Sequence, residues 1–403
     1  MSGKARLILL CVAAAAAATA MAAEKAEHAI VVPACTRPAS VAVDVPAEVK
    51  LDGDGAWELL DDGEATPAEL IDGPRRTLLA VIPPAKAAGG KARRLRLRRD
   101  GPRPAKAFAF KEVCETSLAL HEGERPVFVY NHGTIRHPGK AEKFRKYDRS
   151  NYFHPLFGLA GEELTADFNK KDHPHHRGVF WAWPYLYVGE DRKTNYESWV
   201  PSRFEYRFER WTCRHAGAAA AALGVRTGWH AGDRKVVGEE LLVTVYRSSE
   251  SGRTIDVDLT WTAVDKPVTI KGRPGSAYGG FTFRFQKPEG VAITSREGVT
   301  KKDLVNARRA WMDLSGTFAG ASVASGAAVL IHPEHPGHPP GWLTRHYGPL
   351  CVCWPGPKGA TLQPGKPVRC RYRLWVHRGR PEAAAIQKVY EAYEAAAAAR
   401  WAK

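Results

Sequence analysis

Long apolar segments are missing from this 403-residue sequence once its first two dozen residues are passed. No later stretch approaches the roughly 18 uninterrupted apolar residues that a membrane-spanning helix needs. The sequence also has no glycine-rich phosphate loop, no serine elbow and no internal repeat. These absences argue against a membrane protein with many spans, a Rossmann-type nucleotide-binding domain and a repeat protein.

The first 22 residues are typical of a secretory signal peptide. Lys4 and Arg6 form a basic start, an apolar segment runs from Leu7 to Ala18, and Ala20 and Ala22 frame a small-residue cleavage site. We therefore expect an exported protein, periplasmic or extracellular, without a transmembrane segment.

Negative charge is scarce relative to positive charge, with 59 Lys and Arg against 43 Asp and Glu. A basic surface can bind nucleic acid or another anionic polymer. Because no nucleic-acid-binding motif accompanies the charge, we expect no nucleic-acid partner. Six of the seven cysteines follow the signal peptide. In an oxidising compartment they could form disulfides, whose pairing the sequence leaves open, as it does the oligomeric state.

Short alternating or β-branched segments recur through the rest of the chain, among them TIDVDLTWTAV, ELLVTVYR and RFEYRFERW. Turn sequences such as GRPGSAYGG and HPGHPPG separate them. Only the last segment, from Pro381, has apolar residues at helical spacing. Many strands with almost no intervening helices predict a mainly β, antiparallel sandwich or barrel.

A stretch rich in Pro, Gly and basic residues, at 83–106, suggests a boundary between domains. We predict a signal peptide at 1–22, a small N-terminal β module with its basic linker at 23–106, a large β-sandwich domain at 107–380, and a C-terminal helix at 381–403 packed on the large domain.

Ten of the fifteen histidines fall in two parts of the sequence. The first holds His132, His137, His154, His173, His175 and His176, and the second holds His332, His335, His338 and His346. Tryptophan and arginine accompany both parts. We expect the two parts to meet in one polar pocket with an aromatic rim.

These residues carry a resemblance to a known family. The segment DRSNYFHPLFGLAGEELTADFNKKDHPHHRGVFWAW, at 148–183, resembles the signature of the PmoA-like family of unknown function, often labelled "methane oxygenase PmoA". The resemblance continues in YGGFTFRF, AWMDLSG, HPEHPGHPPGWLTRHYG and YRLWVHRG. At His335 that family usually has Asn.

The resemblance implies a secreted β-sandwich protein similar to the galactose-mutarotase-like supersandwich, and it supplies no established reaction. A membrane methane monooxygenase subunit would need several long apolar helices, which this sequence lacks. We therefore reject methane oxidation.

The segment KDHPHHRGVFWAW, at 171–183, allows four interpretations. His173 and His175 lie two apart and could ligate a divalent metal, which is the one cofactor that the sequence suggests. The histidines could instead move protons on a sugar, since imidazole titrates near neutral pH. The same residues could bind a glycan without chemistry, or they could serve only the fold.

Acid/base chemistry on a sugar is the interpretation that we favour. The predicted catalytic residues are His173, His175 and His176. The predicted substrate-binding residues are Arg149, His154, Asp172, Arg177, Arg284, Trp342 and Arg345. The carboxylates considered as partners of the histidines are Asp172, Glu197, Glu239 and Glu240.

The sequence thus predicts an exported protein that acts on a carbohydrate or a small-molecule ligand. The favoured activity is that of an isomerase, lyase or glycoside hydrolase. The alternatives are a glycan-binding protein without catalysis and a metal-dependent hydrolase or oxygenase.

Overall fold

The computed structural model describes residues 28–51, 56–86, 90–101, 104–139, 141–169 and 173–402. The predicted signal peptide, Asp172 and Cys11 lie outside the described residues. Among those described, no helix is long and apolar enough to cross a membrane. The six cysteines that are described are all free thiols.

The first part of the chain forms a seven-stranded antiparallel sheet, the N-terminal sheet. Its strands are β1 (Ala29–Val32), β2 (Ala39–Asp44), β3 (Ala56–Asp61), β4 (Glu64–Asp72), β5 (Arg76–Ile82), β6 (Arg93–Gly101) and the C-terminal β28 (Arg400–Trp401). Their order is β2-β5-β4-β3-β6-β1-β28.

Two nine-stranded antiparallel sheets form the larger part. The front sheet has β7 (Phe108–Cys114), β8 (Ser117–Glu122), β9 (Arg125–Asn131), β10 (Tyr152–Leu156), β11 (Val179–Ala182), β18 (Gly280–Arg284), β21 (Val305–Arg308), β24 (Gly341–Thr344) and β25 (Pro349–Cys353). The back sheet has β13 (Phe204–Ala216), β14 (Ala220–Ala231), β15 (Arg234–Tyr246), β16 (Gly252–Ala263), β19 (Glu289–Ser295), β20 (Gly298–Val299), β22 (Trp311–Thr317), β23 (Ser325–Ile331) and β27 (Val368–Arg378).

The strand orders are β21-β24-β25-β18-β11-β10-β9-β8-β7 in the front sheet and β13-β14-β15-β16-β27-β23-β22-β19-β20 in the back sheet. A small sheet adds β12 (Tyr185–Val188), β17 (Val268–Lys271) and β26 (Ala360–Leu362). A 3-10 helix covers Glu142–Tyr147, and the helix α1 covers Ala383–Ala397.

The two large sheets pack face to face because their strands alternate. In β16, Ile255, Val257, Leu259 and Trp261 are buried, whereas the residues between them are partly exposed. These side chains belong to one hydrophobic cluster that includes inward residues of the front sheet such as Trp181. The prediction of a mainly antiparallel β-sandwich is confirmed.

The front sheet is buried on both faces around β11, where all four residues are buried. Val179 and Trp181 point into the sandwich, while Phe180 and Ala182 belong to a second cluster with Tyr152 and Trp199. This second cluster lies on the outer face of the front sheet, because successive residues of a strand point to opposite faces.

The helix α1 contacts both parts of the molecule. Ile386 and Tyr390 pack in one cluster with Trp375 of the back sheet, while Ala396 belongs to the core of the N-terminal sheet. After the helix, Trp401 pairs with Ile30 in β1. The helix therefore does more than pack on the large domain, and the division of the chain at 106 and 380 stays a prediction.

A carboxylate lies at the centre of the sandwich. Glu239, on β15, has no exposed surface. Its Oε2 accepts hydrogen bonds from the indole N–H groups of Trp181 (2.7 Å), Trp229 (2.9 Å) and Trp261 (2.7 Å). Its Oε1 accepts one from the amide of Asn151 at 2.7 Å. Burial raises the pKa of this carboxyl group and the four hydrogen bonds oppose that effect.

Replacing Glu239 tests whether this network holds the sandwich together. In Glu239→Gln the new amide N–H groups face donors that need an acceptor, so we expect a loss of roughly 2–4 kcal/mol in the free energy of unfolding. Denaturant unfolding followed by tryptophan fluorescence measures it. The matched control is Glu240→Gln, since Glu240 pairs with Arg226 at the surface (3.0 Å) and should change stability by less than about 1 kcal/mol. Equal effects of the two substitutions would contradict the structural role of Glu239.

Candidate functional site

The site lies on the outer face of the front sheet, at one end of its central strands. Val179, the first residue of β11, pairs with Phe283, and Arg284, the last residue of β18, pairs with Pro349 at the start of β25. The N–H of Arg284 donates to the carbonyl of Gly178 at 2.8 Å. Segments just before β11 and just before β25 therefore meet beside Arg284.

The three predicted catalytic histidines form one cluster. A turn at His173, whose φ is +32°, brings the N–H of His176 to the carbonyl of His173 at 2.9 Å. The His173 ring stacks on His176, with centroids 4.7 Å apart, and on Tyr347 at 5.3 Å. The His175 ring stands perpendicular to His176 at 4.6 Å. The structure thus brings these three histidines together.

Aromatic side chains of the outer cluster complete the wall. Trp199, in the loop between β12 and β13, lies 5.4 Å from the ring of His176 and 4.8 Å from Tyr278. Phe180 lies 6.0 Å from His176. Tyr278 and Tyr347 are partly exposed. The ring of Tyr347 is stacked by His173 and lies 4.9 Å from the guanidinium of Arg284, so Tyr278 is the tyrosine on which a sugar could stack.

Arg149 supplies a buried positive charge. Its side chain donates to the carbonyls of Ser198 and Trp199, both at 2.8 Å, and lies 4.9 Å above the ring of Phe180. Its Nε is buried without a partner among the described residues, and no described carboxylate forms an ion pair with it. Burial lowers the pKa of Arg149 to about 10, so the group stays cationic at neutral pH.

His175 and His176 are neutral at physiological pH. Burial, followed by the charges of His173, Arg149, Arg284 and Lys146, lowers the pKa of His175 to about 3. Burial also lowers the pKa of His176 well below its usual range, and its Nδ1 is buried without a partner among the described residues. A neutral imidazole can accept a proton or a hydrogen bond, but it does not act as a general acid.

Glu197 is a carboxylate in the same loop as Trp199. It lies two residues before Trp199, is half-buried, and accepts a hydrogen bond from the N–H of Val200 at 3.2 Å. Burial raises the pKa of this carboxyl group, which favours a proton donor. Glu239 lies in the sandwich core and Glu240 pairs with Arg226 on the back sheet, so neither can act here.

Arg177 lies next to His176 in the sequence, and its guanidinium is bound by other groups of the protein. Its guanidinium forms an ion pair with Asp167, donates to the hydroxyl of Tyr152 and to the carbonyl of Tyr147, and lies 3.4 Å above the ring of Phe168. The side chain has no exposed surface. The substrate-binding role predicted for Arg177 stays a prediction, and the structure shows four of its five N–H groups bonded within the protein.

Three other predicted substrate-binding residues also make internal contacts. Trp342 is fully buried and its Nε1 donates to the carbonyl of Arg309 at 2.8 Å, so it offers no stacking face. Arg345 donates to the carbonyls of Thr344 (2.9 Å) and Leu304 (3.3 Å). His154 lies 3.0 Å from the hydroxyl of Thr165. Each of these contacts stabilises a strand end or a loop.

The second histidine-rich part does not join the site. His335 lies 3.1 Å from the hydroxyl of Tyr372, and His338 lies 2.9 Å from that of Tyr390 on α1. His332 is surrounded by the arginines of β27, and burial with these charges lowers its pKa to about 2. From residues 332–348, the structure places Tyr347 against a site histidine, His173. The histidines of this part have other partners, so the two groups of histidines do not form the expected shared pocket.

The metal interpretation finds limited support. Over the described ranges, no three His, Cys, Asp or Glu side chains are grouped so that they could hold an ion. The rings of His173 and His175 lie 5.6 Å apart and perpendicular. We derive no step through a metal.

Sequence reasoning missed the aromatic part of the site. Trp199 lies in a loop with no recognisable motif, and nothing in the sequence places it against the histidines. Tyr278 and Tyr347 occur within the segments YGGFTFRF and RHYG, which carried the family resemblance. Those motifs were therefore the signal that could have identified them.

Comparisons with known proteins give a family and little more. Residues 117–391 match the model of DUF6807, described as a family of unknown function, and that description makes no reference to PmoA. No curated protein matches the chain. The chain is similar to the crystal structure of heparan sulfate lyase HepC from Pedobacter heparinus, with 8% identity and a TM-score of 0.31. That likeness covers 66% of this chain and 34% of the lyase, so the chain spans about a third of its length.

The lowered pKa values predict how stability depends on pH. Unfolded His175 and His176 take up a proton near pH 6.5, whereas the folded forms resist it down to about pH 3 for His175. Because the unfolded state binds more protons in this window, stability falls as pH falls from 6.5, by about 1.4 kcal/mol per pH unit for each such histidine. We would measure the free energy of unfolding by denaturant between pH 7 and 5. It should fall less steeply with decreasing pH in His175→Gln than in the unmodified protein.

The control for this measurement is Val299→Ala, since Val299 is an exposed residue of β20 that does not titrate and lies outside the site. We expect its slope to match that of the unmodified protein. A His175→Gln slope that also matches would show that His175 is not held neutral.

Proposed function

The chain belongs to the family DUF6807, whose function is unknown, and from the site itself we propose that it acts on a carbohydrate, with neutral histidine as the proton acceptor. We further propose that it is exported to the periplasm or beyond, as its N-terminal segment indicates. The observation that carries the activity is the packing of three histidines, partly exposed tyrosine rings and a buried arginine on one sheet face.

In the proposed reaction, His175 accepts a proton from a sugar carbon or hydroxyl group. Arg149 and Arg284 stabilise the negative charge that develops on the substrate as that proton leaves. Glu197 returns a proton to the product or to the leaving oxygen. The same roles suit an epimerase, a lyase and a glycoside hydrolase.

A glycan-binding protein without catalysis is the second candidate. The specific observation in its favour is the strongly lowered pKa of His175 and His176, because a weakly basic imidazole removes protons poorly. In that case the histidines would accept hydrogen bonds from sugar hydroxyls, and Tyr278 would provide the stacking face.

Turnover by site variants separates these two functions. We would screen oligosaccharides, oxidised sugars and uronides by mass spectrometry and anomeric NMR. If His175 is the base, His175→Ala should lower the rate by roughly two to four powers of ten while affinity changes little. The matched control is His230→Ala, a histidine on β14 of the back sheet, which should leave the rate unchanged.

Two results would change the conclusion. Substrate turnover that survives alanine at His173, His175 and His176 together would rule out the proposed mechanism. Binding without turnover, with affinity reduced by Tyr278→Ala, would establish the glycan-binding function instead. Melting curves of each variant separate these effects from loss of folding.

A further inference from the structure

A basic cleft of about 820 Å³ opens beside Arg149. It is lined by residues of the 134–150 segment and by the start of β13. Five cations contribute to its lining, namely Arg136, Lys143, Arg145, Lys146 and Arg149. The carboxylates in the lining are Glu142, Asp148 and Glu205.

Two of these carboxylates are already paired. Asp148 forms an ion pair with Arg145 at 3.2 Å, and Glu205 forms one with Arg207, outside the cleft. Within the described residues, Arg136, Lys143 and Lys146 are exposed and form no ion pair. The cleft therefore carries an excess of positive charge that the protein itself does not neutralise.

Arg149 connects this cleft with the histidine site. It lines the cleft, yet it is only 4% exposed, and its Nε has no partner among the described residues. Its guanidinium also lies above Phe180 and donates to the carbonyl of Trp199, both of which contact His176. Arg149 therefore lies between the cleft and the histidine cluster.

A buried cation without a carboxylate partner is unfavourable, and an anion that binds beside it removes the penalty. Neutral sugar hydroxyls would not do so. We propose that the basic cleft binds the carboxylate or sulfate group of an anionic saccharide whose reacting unit lies against the histidine cluster. This inference rests on the proposed carbohydrate function and names its substrate class.

The anion would also support the proposed chemistry. After burial, the interactions that lower the pKa of His175 come from His173, Arg149, Arg284 and Lys146, and the rings of His176 and Trp199 lie beside it. A bound negative charge opposes the effect of these cations and makes His175 a stronger base, while burial, the larger cause of its lowered pKa, stays in place.

Calorimetry with matched ligands tests the inference. The probes are an oligosaccharide of uronic acids, its carboxyl-reduced neutral counterpart, and a sulfated oligosaccharide of the same length. We expect at least one anionic probe to bind about tenfold or more tightly than the neutral one at low salt, with the difference shrinking as salt is added. Equal affinity for all three would overturn the proposal.

Variants of the cleft locate the binding. The double variant Lys143→Gln/Lys146→Gln should weaken the anionic probe about five- to tenfold and leave the neutral probe unchanged, since each exposed cation contributes modestly. The control Lys266→Gln, an exposed lysine between β16 and β17, should change neither. Anionic binding that is unaffected by the double variant would place the ligand elsewhere and refute the assignment.

The outcomes distinguish this inference from the proposed function. Cleft-dependent binding of an anionic probe that is never turned over would uphold the inference and remove the catalytic proposal. Turnover of the neutral probe, bound as tightly as the anionic ones, would uphold the catalytic proposal and overturn the inference that the cleft selects an anionic saccharide. Arg149→Gln, checked by its melting temperature, should bind the anionic probe more weakly than the double variant does, because it removes the buried charge that lies between the cleft and the histidines.

Discussion

The sandwich is organised around a buried carboxylate with which no cation in the described part of the chain forms an ion pair. Glu239 is held by four neutral N–H donors, and these come from both sheets: Trp181 from the front sheet, Trp229 and Trp261 from the back sheet, and Asn151 from the residue before β10. A buried charge with one donor missing is strongly destabilising. The relative position of the two sheets is therefore restricted to arrangements that bring all four donors to one point.

The same restriction extends to the site. Asn151 has a left-handed φ of +64° and lies two residues after Arg149, so the hydrogen bond to Glu239 fixes the chain where Arg149 emerges. Phe180 follows Val179 on the strand that supplies Trp181. The hydrogen bonds of Glu239 thus help to position Arg149 and Phe180 on the outer face. A substitution at Glu239 should therefore shift the residues around the histidines, although Glu239 does not contact the histidines.

Much of the fold could be predicted because alternation is a local property. The alternation in TIDVDLTWTAV indicates which side chains point inward, and this segment forms most of β16. The apolar residues at helical spacing after Pro381 lie in α1. The histidine cluster could also be predicted, because a turn at His173 brings together residues that are already neighbours in sequence.

Partners could not be predicted in this way. Arg177 looked like a substrate ligand because its carboxylate, Asp167, belongs to a different segment of irregular chain. Trp342 looked like a stacking face because alternation does not say which face of a strand is covered. Glu239 was considered as a partner of the histidines because the sequence does not show that its side chain lies inside the sandwich. The role of Trp199 depends on a loop that folds back over the sheet.

The pairing of β28 with β1 has a consequence for how the protein assembles during synthesis. Residues 28–101 leave the ribosome long before residues 400 and 401, which complete their sheet. Until then Ile30 and Val31 have one neighbouring strand, β6, instead of two. The strands of the N-terminal sheet are therefore synthesised first, except for β28, which is synthesised last. As a result, β1 acquires its full set of backbone hydrogen bonds only after the segments that form the sandwich and α1 have been made.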